Sequence, residues 1–367
     1  LTVSDGALLT NQTGQIGLLA EATGTATVDA ATWECDFDLI VGNAGEGTLT
    51  VTGGGTVSNR TGLVALDPGS TGTVDVTGHE SAWHSMGNLI VGGDESDDGG
   101  DASVTTDDGG RIYVGDFDPT TVTTGVTVPA LVVSDTDTFS GELTVRNGAT
   151  LDNPGGYTFA GYNAGETGSV AVTGTGSTLT NTYWVVVGDE GDGTLTVTDG
   201  GTITGGQGFV AAETGSTGTV TLEGGTWIND SELIVGGGID NAGGTGTIDV
   251  LQDGRLVIGD TAFREGPLTL WPDGTLNVYG GTAEFTDVGV VDDQGGTRPP
   301  QKYKRGGDRF RSPPLVFTIS RSRRRCRAGL AATAKGSRNR QRGRLGWRAA
   351  PRRGLSTRPR RRSRGGC

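Results

Sequence analysis

Short runs of alternating hydrophobic and polar residues recur along most of the chain. In Gly47–Thr52 the leucine and the valine lie on one face of an extended segment and the threonines lie on the other, which is the pattern of a half-buried β-strand. A shorter apolar run, such as Leu39–Val41, precedes the alternating run and ends at a glycine. Because residues 1–297 show no sustained helical period, the pattern predicts an all-β fold without helices.

The strand pattern repeats at a regular interval. Four similar thirteen-residue blocks start at residues 31, 81, 177 and 225: ATWECDFDLIVGN, SAWHSMGNLIVGG, STLTNTYWVVVGD and GTWINDSELIVGG. They define a unit of about 48 residues with two similar halves of about 24 and one degenerate copy in the gap. One coil cannot bury its own leucines and valines, but stacked coils can. The sequence therefore predicts a right-handed parallel β-helix (β-solenoid) of about 24-residue coils rather than a propeller, whose blades need four regular strands.

Charge divides the chain into two segments. Residues 1–297 contain 42 of the 43 acidic residues, five arginines and no lysine, whereas residues 298–367 contain the other 24 basic residues. We expect a β-solenoid domain over 1–297, with an irregular coil at about 101–142, and a basic low-complexity tail over 298–367. The composition of the tail predicts a disordered segment. The tail is alternatively predicted to be frameshift-derived, because a GC-rich gene that encodes Gly and Asp gives many arginine codons when it is read out of frame. No specific nucleic-acid role is expected for it.

The repeat resembles a known family of exported bacterial proteins. A Leu/Val-x-Val-Gly block, a Gly-Thr-Leu-Thr-Val block and a closing tryptophan recur in that order, most clearly in Leu39–Asn59 with Ser70–Trp83 and in Val185–Thr204 with Ser216–Trp227. This consensus is similar to the type V secretion (autotransporter) / PEP-CTERM-associated repeat over about residues 1–291. The resemblance implies a secreted or surface-displayed β-helical stalk, extracellular or on the outer-membrane surface, and brings no catalytic residues with it.

Two acidic turns are candidate calcium sites, since oxygen ligands in glycine-rich turns can hold Ca²⁺. The candidate ligands are Asp94, Asp97, Asp98, Asp101, Asp189 and Asp192. The Gly-Gly-x-Gly-x-Asp nonapeptide of calcium-binding β-rolls is absent from the sequence. Runs of acids more often form a solvated surface that keeps a protein soluble, which is the favoured interpretation here. No cofactor other than this calcium is expected.

Three tryptophans occupy one position of the repeat. They are Trp33, Trp83 and Trp227, and Leu179 stands at this position in the fourth copy. A solvent-facing row of aromatic rings could stack on sugars. The replacement by leucine instead favours a buried packing position, because aligned apolar positions usually belong to the core.

The sequence offers little for catalysis. The two histidines, His79 and His84, lie near Glu80, but no nucleophile motif accompanies them. We therefore predict a structural or adhesive protein without enzymatic activity; a carbohydrate- or calcium-binding β-helix module is the alternative, and a polysaccharide-degrading enzyme ranks third. The expected partners are cell-surface glycans or other envelope proteins. No apolar run is long enough for a membrane-spanning helix.

Overall fold

The computed structural model describes residues 1–93, 99–115, 130–133, 135–136, 140–154, 156–259, 268–285 and 291–293. The chain divides into two compact units, Leu1–Ser320 and Arg321–Cys367, and every described residue belongs to the first. The predicted basic tail and residues 116–129 of the predicted irregular coil lie outside the described residues. The described residues form 34 β-strands and no helix, which confirms the all-β prediction.

The strands follow one another three to a coil. The first four coils contain β1 to β12, which are Thr2–Ser4, Leu8–Asn11, Gly14–Ile16, Thr23–Asp29, Thr32–Cys35, Asp38–Val41, Glu46–Thr52, Thr56–Asn59, Thr61–Val64, Thr71–Thr77, Ala82–Ser85 and Leu89–Val91. The next four contain β13 to β25, which are Asp101–Asp107, Arg111–Val114, Ala130–Val133, Asp135–Thr136, Gly141–Arg146, Thr150–Asn153, Tyr157–Ala160, Glu166–Thr173, Thr178–Asn181, Trp184–Val187, Asp192–Thr198, Thr202–Gly205 and Gln207–Val210. The last three contain β26 to β34, which are Thr217–Glu223, Thr226–Asn229, Leu233–Val235, Thr245–Val250, Arg255–Ile258, Leu268–Leu270, Gly274–Val278, Thr282–Phe285 and Val291–Asp293.

Each coil contributes one strand to each of three parallel sheets. Sheet A stacks β1, β4, β7, β10, β13, β17, β20, β23, β26, β29 and β32; sheet B stacks β2, β5, β8, β11, β14, β18, β21, β24, β27, β30 and β33; sheet C stacks β3, β6, β9, β12, β15, β19, β22, β25, β28, β31 and β34. The short strand β16 pairs antiparallel with β20 beside this pattern. Eleven strands per sheet make a ladder about 50 Å long. The predicted parallel β-solenoid is confirmed, and its right hand stays a prediction.

The coil length matches the prediction where the chain is regular. Thr25 pairs with Thr48 and Thr48 pairs with Thr73, which gives coils of 23 and 25 residues. Ser103 pairs with Glu142, which lies 39 residues further along the chain. The long coil spans the segment that the sequence analysis interpreted as irregular, and its insertion lies between β14 and β15.

The core is a column of aliphatic side chains enclosed by the three sheets. Leu49 and Val51 of β7 are fully buried, while the three threonines that alternate with them are partly exposed. Val51 stacks on Val28 of the preceding coil and under Val76 of the next. Each coil thus covers the apolar surface that its neighbour leaves open, as expected for a solenoid.

Thr106 interrupts this buried valine column. It pairs with Val76 on one side and Val145 on the other, and its hydroxyl oxygen is buried without a hydrogen-bond partner in the protein. Thr106→Val keeps the shape and removes the unpaired hydroxyl, so we expect the free energy of unfolding to rise by about 1–2 kcal/mol. Thermal unfolding of the full chain measures this, with the partly exposed Thr105→Val as control. A lower melting temperature for Thr106→Val would show that its hydroxyl has a partner in solution.

Candidate functional site

The repeated tryptophans lie in the core. Trp33 is 3% exposed, Trp83 and Trp227 are 0% exposed, and Leu179 at the same repeat position is also fully buried. All four side chains project from sheet B into the interior, where Trp83 stacks on Val57 and Trp227 stacks on Ile203. The packing interpretation is therefore confirmed, and these rings form no solvent-facing row for sugars.

Only three of the six calcium candidates lie among the described residues. The other three lie outside them: Asp94, Asp97 and Asp98. Of the described candidates, Asp101 accepts a hydrogen bond at Oδ1 from the backbone N–H of Ser140 at 3.2 Å, Asp189 is partly exposed and Asp192 is exposed. The described part of the chain contains no group of three or more His, Cys, Asp or Glu side chains that could hold a metal ion. Calcium binding stays a prediction.

His84 takes part in an outer-face ladder of sheet B. Its imidazole stacks on the ring of Tyr113 in the next coil, with ring centroids 4.5 Å apart and an angle of 13° between the planes. The two residues are direct partners in the pairing of β11 with β14. His79 and Glu80 lie in the preceding turn between β10 and β11. The geometry gives His84 a packing contact on the outer face of sheet B.

Aromatic side chains cluster on the outer face of sheet C in three successive coils. Inward residues such as Thr158 and Val185 alternate there with outward aromatic residues. We call the cluster the aromatic patch; it consists of Tyr157, Phe159, Tyr162, Tyr183, Trp184 and Phe209. The strands β19, β22 and β25 carry four of these residues, and the other two lie just beyond strand ends. Stacking of neighbouring coils therefore brings together rings that are far apart in the sequence.

The rings of the aromatic patch pack on one another. The centroid of Tyr157 lies 5.0 Å from that of Trp184 and 5.6 Å from that of Tyr183. Trp184 meets Phe209 edge to face at 5.2 Å, and Phe159 lies 6.1 Å from Tyr157. Tyr183 remains 47% exposed and Trp184 remains 37% exposed. Contiguous exposed aromatic surface on a soluble domain marks an interaction site.

A polar row continues from the aromatic patch along the axis of the solenoid. Trp184 pairs with Gln207, and the register places Tyr157 one coil before this pair and Glu232 one coil after it. Gln207 donates from Nε2 to Oε2 of Glu232 at 3.1 Å, and Thr269 donates from Oγ1 to Oε1 of Glu232 at 3.3 Å. We define the axial row as the four residues that follow one another from coil to coil: Tyr157, Trp184, Gln207 and Glu232. Two rings, an amide and a carboxylate thus follow at intervals of about 4.8 Å.

Carboxylates border the aromatic patch at the corner between sheets C and A. The corners stack, since the backbone N–H of Asp189 donates to the carbonyl of Gly161 at 2.9 Å and the N–H of Glu213 donates to the carbonyl of Asp189 at 2.9 Å. Burial raises the pKa of Asp189 to about 6, and the charges of Glu190 and Glu213 add to this rise. Three acidic residues, Asp189, Glu190 and Glu213, thus lie close together at this border of the patch.

Asp189→Asn is expected to stabilise the fold at neutral pH and not in acid. The pKa of Asp189 is about 6 in the folded chain against 3.8 for an unperturbed carboxyl, so the folded state binds the proton more readily. The charged form of Asp189 therefore lowers the free energy of unfolding. This loss of stability is absent below about pH 4, where the carboxyl is protonated, and complete above about pH 7, where it is ionised. Because the side chain is partly solvated, we expect a gain of only about 1 kcal/mol. Thermal unfolding at pH 4 and pH 8 tests this, with the exposed Asp192→Asn as control. An equal gain at both pH values would contradict it.

A concave feature lies at the corner between sheets A and B. It has a volume of about 370 Å³ and is lined by Thr198, Asp199, Glu223, Gly224, Gln252 and Asp253. Its lining is polar and includes three carboxylates but no aromatic ring. A polar surface of this kind stays hydrated and offers no apolar platform for a ligand. The aromatic patch is therefore the stronger candidate.

These features define the class of protein: a parallel β-solenoid repeat protein with an exposed aromatic patch on one sheet. No protein-family model and no curated protein matches the chain. Among solved structures it is similar to the crystal structure of a TibC-catalysed hyper-glycosylated TibA55-350 fragment, with 20% sequence identity over 78% of this chain and 97% of that chain, and a TM-score of 0.22. No functional conclusion follows from a likeness at this level. Among the described residues, no helix could cross a membrane.

Proposed function

We propose that this chain is a secreted or surface-displayed structural and adhesive repeat protein, a stalk without catalytic activity at the outer-membrane surface or outside the cell. The observation that carries this function is the continuous ladder of three sheets, which holds surface residues in fixed positions over about 50 Å. The repeat consensus over about residues 1–291 supports export by a type V or PEP-CTERM-associated route. The excess of acidic residues in 1–297 favours solubility and opposes association of the copies.

An attachment assay tests the adhesive role. Beads coated with the full chain are passed under flow over cells that display surface glycans, and beads coated with an unrelated protein of equal negative charge serve as the control. We expect the chain to retain more beads than the control, because each bead presents many copies of the chain and gains from avidity. Equal retention of both kinds of bead would overturn the adhesive role.

The second candidate function is a carbohydrate- or calcium-binding β-helix module. The exposed rings of Tyr183 and Trp184 favour the carbohydrate form. The calcium form rests on the acidic turns that contain Asp94, Asp189 and their neighbours in the sequence. Repeating the attachment assay with EDTA separates the two forms: loss of retention on chelation supports calcium, and unchanged retention supports direct binding.

A further inference from the structure

We propose that the aromatic patch and the axial row together bind neutral oligosaccharides built of pyranose rings. This inference deepens the adhesive role proposed above and rests on it. It concerns one face of sheet C in four successive coils, from Tyr157 to Glu232. The site would recognise the apolar face of a pyranose ring together with the hydroxyl groups at the edge of that ring.

The exposed rings form a platform that is held in place before a ligand arrives. Tyr183 and Trp184 are open to solvent on one side, and on the other side Tyr157 and Phe209 support them at centroid distances of 5.0 to 5.6 Å. Phe209 itself is only 4% exposed, so it anchors the platform to the sheet. Rings that are already ordered lose little conformational entropy on binding, which favours affinity.

The axial row supplies hydrogen-bonding groups next to the rings. Gln207 is the neighbour of Trp184 in the next coil, and its amide is fixed by the bond from Nε2 to Glu232. The carbonyl oxygen of that amide can accept from a sugar hydroxyl, and the phenol of Tyr183 can donate or accept. Glu232 is 7% exposed, so we assign it a positioning role for Gln207 rather than direct contact. A few oriented polar groups beside apolar surface are typical of small-ligand sites.

Charge selects neutral sugars. Asp189, Glu190 and Glu213 border the patch, where stacked corners bring their backbones together: the N–H of Glu190 donates to the carbonyl of Tyr162 at 3.1 Å, and the N–H of Glu213 donates to the carbonyl of Asp189 at 2.9 Å. The arginines that the structure describes in ion pairs, Arg146 and Arg255, lie on sheets A and B. In the described part of the chain no arginine lies on β19, β22, β25 or β28, so an anionic sugar would meet like charges there without a described compensating cation. The site is expected to take neutral pyranosides and to reject uronates.

Calorimetric titration of the full chain tests the proposal. The probes are neutral hexamers of glucose, mannose and N-acetylglucosamine, with hexagalacturonate as the anionic comparison. We expect at least one neutral hexamer to bind and hexagalacturonate not to bind. Trp184→Ala should weaken the binding by about tenfold or more, since it removes the most central exposed ring. Tyr279→Ala, an equally exposed aromatic residue outside the patch, should change it less than twofold.

Three results would overturn the proposal: no binding of any neutral hexamer, equal binding by Trp184→Ala, or preference for hexagalacturonate. Sedimentation velocity of both variants adds a further check. A dimer of the wild-type chain that Trp184→Ala dissociates would assign the patch to a second copy of this chain instead. Retention of beads without any sugar binding would overturn this inference alone, whereas sugar binding without bead retention would overturn the adhesive function alone.

Discussion

Gly218→Ala is expected to lower the free energy of unfolding by about 3 kcal/mol or more. Gly218 lies on the inner side of β26, and a Cβ atom there would be 2.3 Å from the carbonyl oxygen of Val187 and 2.6 Å from the backbone nitrogen of Ala211. Both atoms belong to the backbone, in two stacked corners that the hydrogen bond from Ala211 N–H to the Val187 carbonyl joins, so no side-chain rotation can relieve the contact. A whole corner of the solenoid would have to move, and packed interiors resist such shifts.

The same position is glycine in almost every coil. The register of sheet A aligns it as Gly24, Gly47, Gly72, Ala102, Gly141, Gly168, Gly193, Gly218, Gly246 and Gly274. None of these glycines has a positive φ, so the reason is the close approach of another backbone rather than a left-handed turn. The first residue of each Gly-Thr-Leu-Thr-Val block is therefore a packing residue.

Gly215→Ala is the matched control for Gly218→Ala. Gly215 belongs to the turn just before β26, has a φ of +99° and has nothing within 4 Å of its Cβ position. Substitution there should cost only the backbone strain of about 1–2 kcal/mol. Chemical denaturation followed by circular dichroism compares the two variants. A smaller loss for Gly218→Ala than for Gly215→Ala would contradict the close-approach explanation.

The pattern of hydrophobic and polar residues predicted the strands, but it did not explain the structural role of every glycine. Alternation in Gly47–Thr52 and the run Leu39–Val41 identified the strands of sheets A and C. Glycine adopts a positive φ more easily than other residues, and this explains Gly53 and Gly54 in their turn. It does not explain Gly201, whose Cβ would meet the carbonyl oxygen of Val172 at 2.4 Å. A contact between coils depends on how the coils stack, and one coil read alone does not show it.

The aromatic patch escaped the sequence analysis for a related reason. Comparison of repeats directs attention to equivalent positions, and the equivalent tryptophans belong to the core. The patch combines unlike positions of three coils, among them Tyr157, Phe159 and Trp184. A local signal existed, because Tyr157-Thr158-Phe159 and Tyr183-Trp184 place aromatic residues where other coils have polar or aliphatic outward residues. That signal becomes meaningful only when the register puts the coils side by side.

Each buried tryptophan lies against a glycine of the preceding coil, which leaves room for the large ring. Trp83 lies over Gly62, where a Cβ atom would be 2.8 Å from the Trp83 ring. Gly14 and Gly208 stand in the same relation to Trp33 and Trp227. Where Leu179 replaces tryptophan, the register places the larger Thr158 at the glycine position. Large and small side chains thus compensate between coils, which keeps the interior filled.

Trp83→Ala is expected to lower the free energy of unfolding by about 3–5 kcal/mol. The indole is fully buried, and Gly62, which lies against it, has no side chain to fill the vacated space. Chemical denaturation of the full chain measures the loss. Tyr279→Ala, a truncation of an exposed ring, is the control and should cost less than about 1 kcal/mol. Equal losses for both variants would show that the interior collapses around the cavity.

A pair of phenylalanine variants separates the hydrogen bond of Trp83 from its volume. Trp83 donates from Nε1 to Oδ1 of Asn59 at 2.5 Å. In contrast, Nε1 of Trp227 is buried without a hydrogen-bond partner. The reason is that Gly205 occupies the position that corresponds to Asn59. Trp83→Phe leaves the Asn59 oxygen short of a donor, and Trp227→Phe removes an unpaired donor. Since the two lose equal volume, Trp83→Phe should be the more destabilising by about 1–3 kcal/mol. Equal unfolding free energies would mean that Trp227 finds a partner in solution.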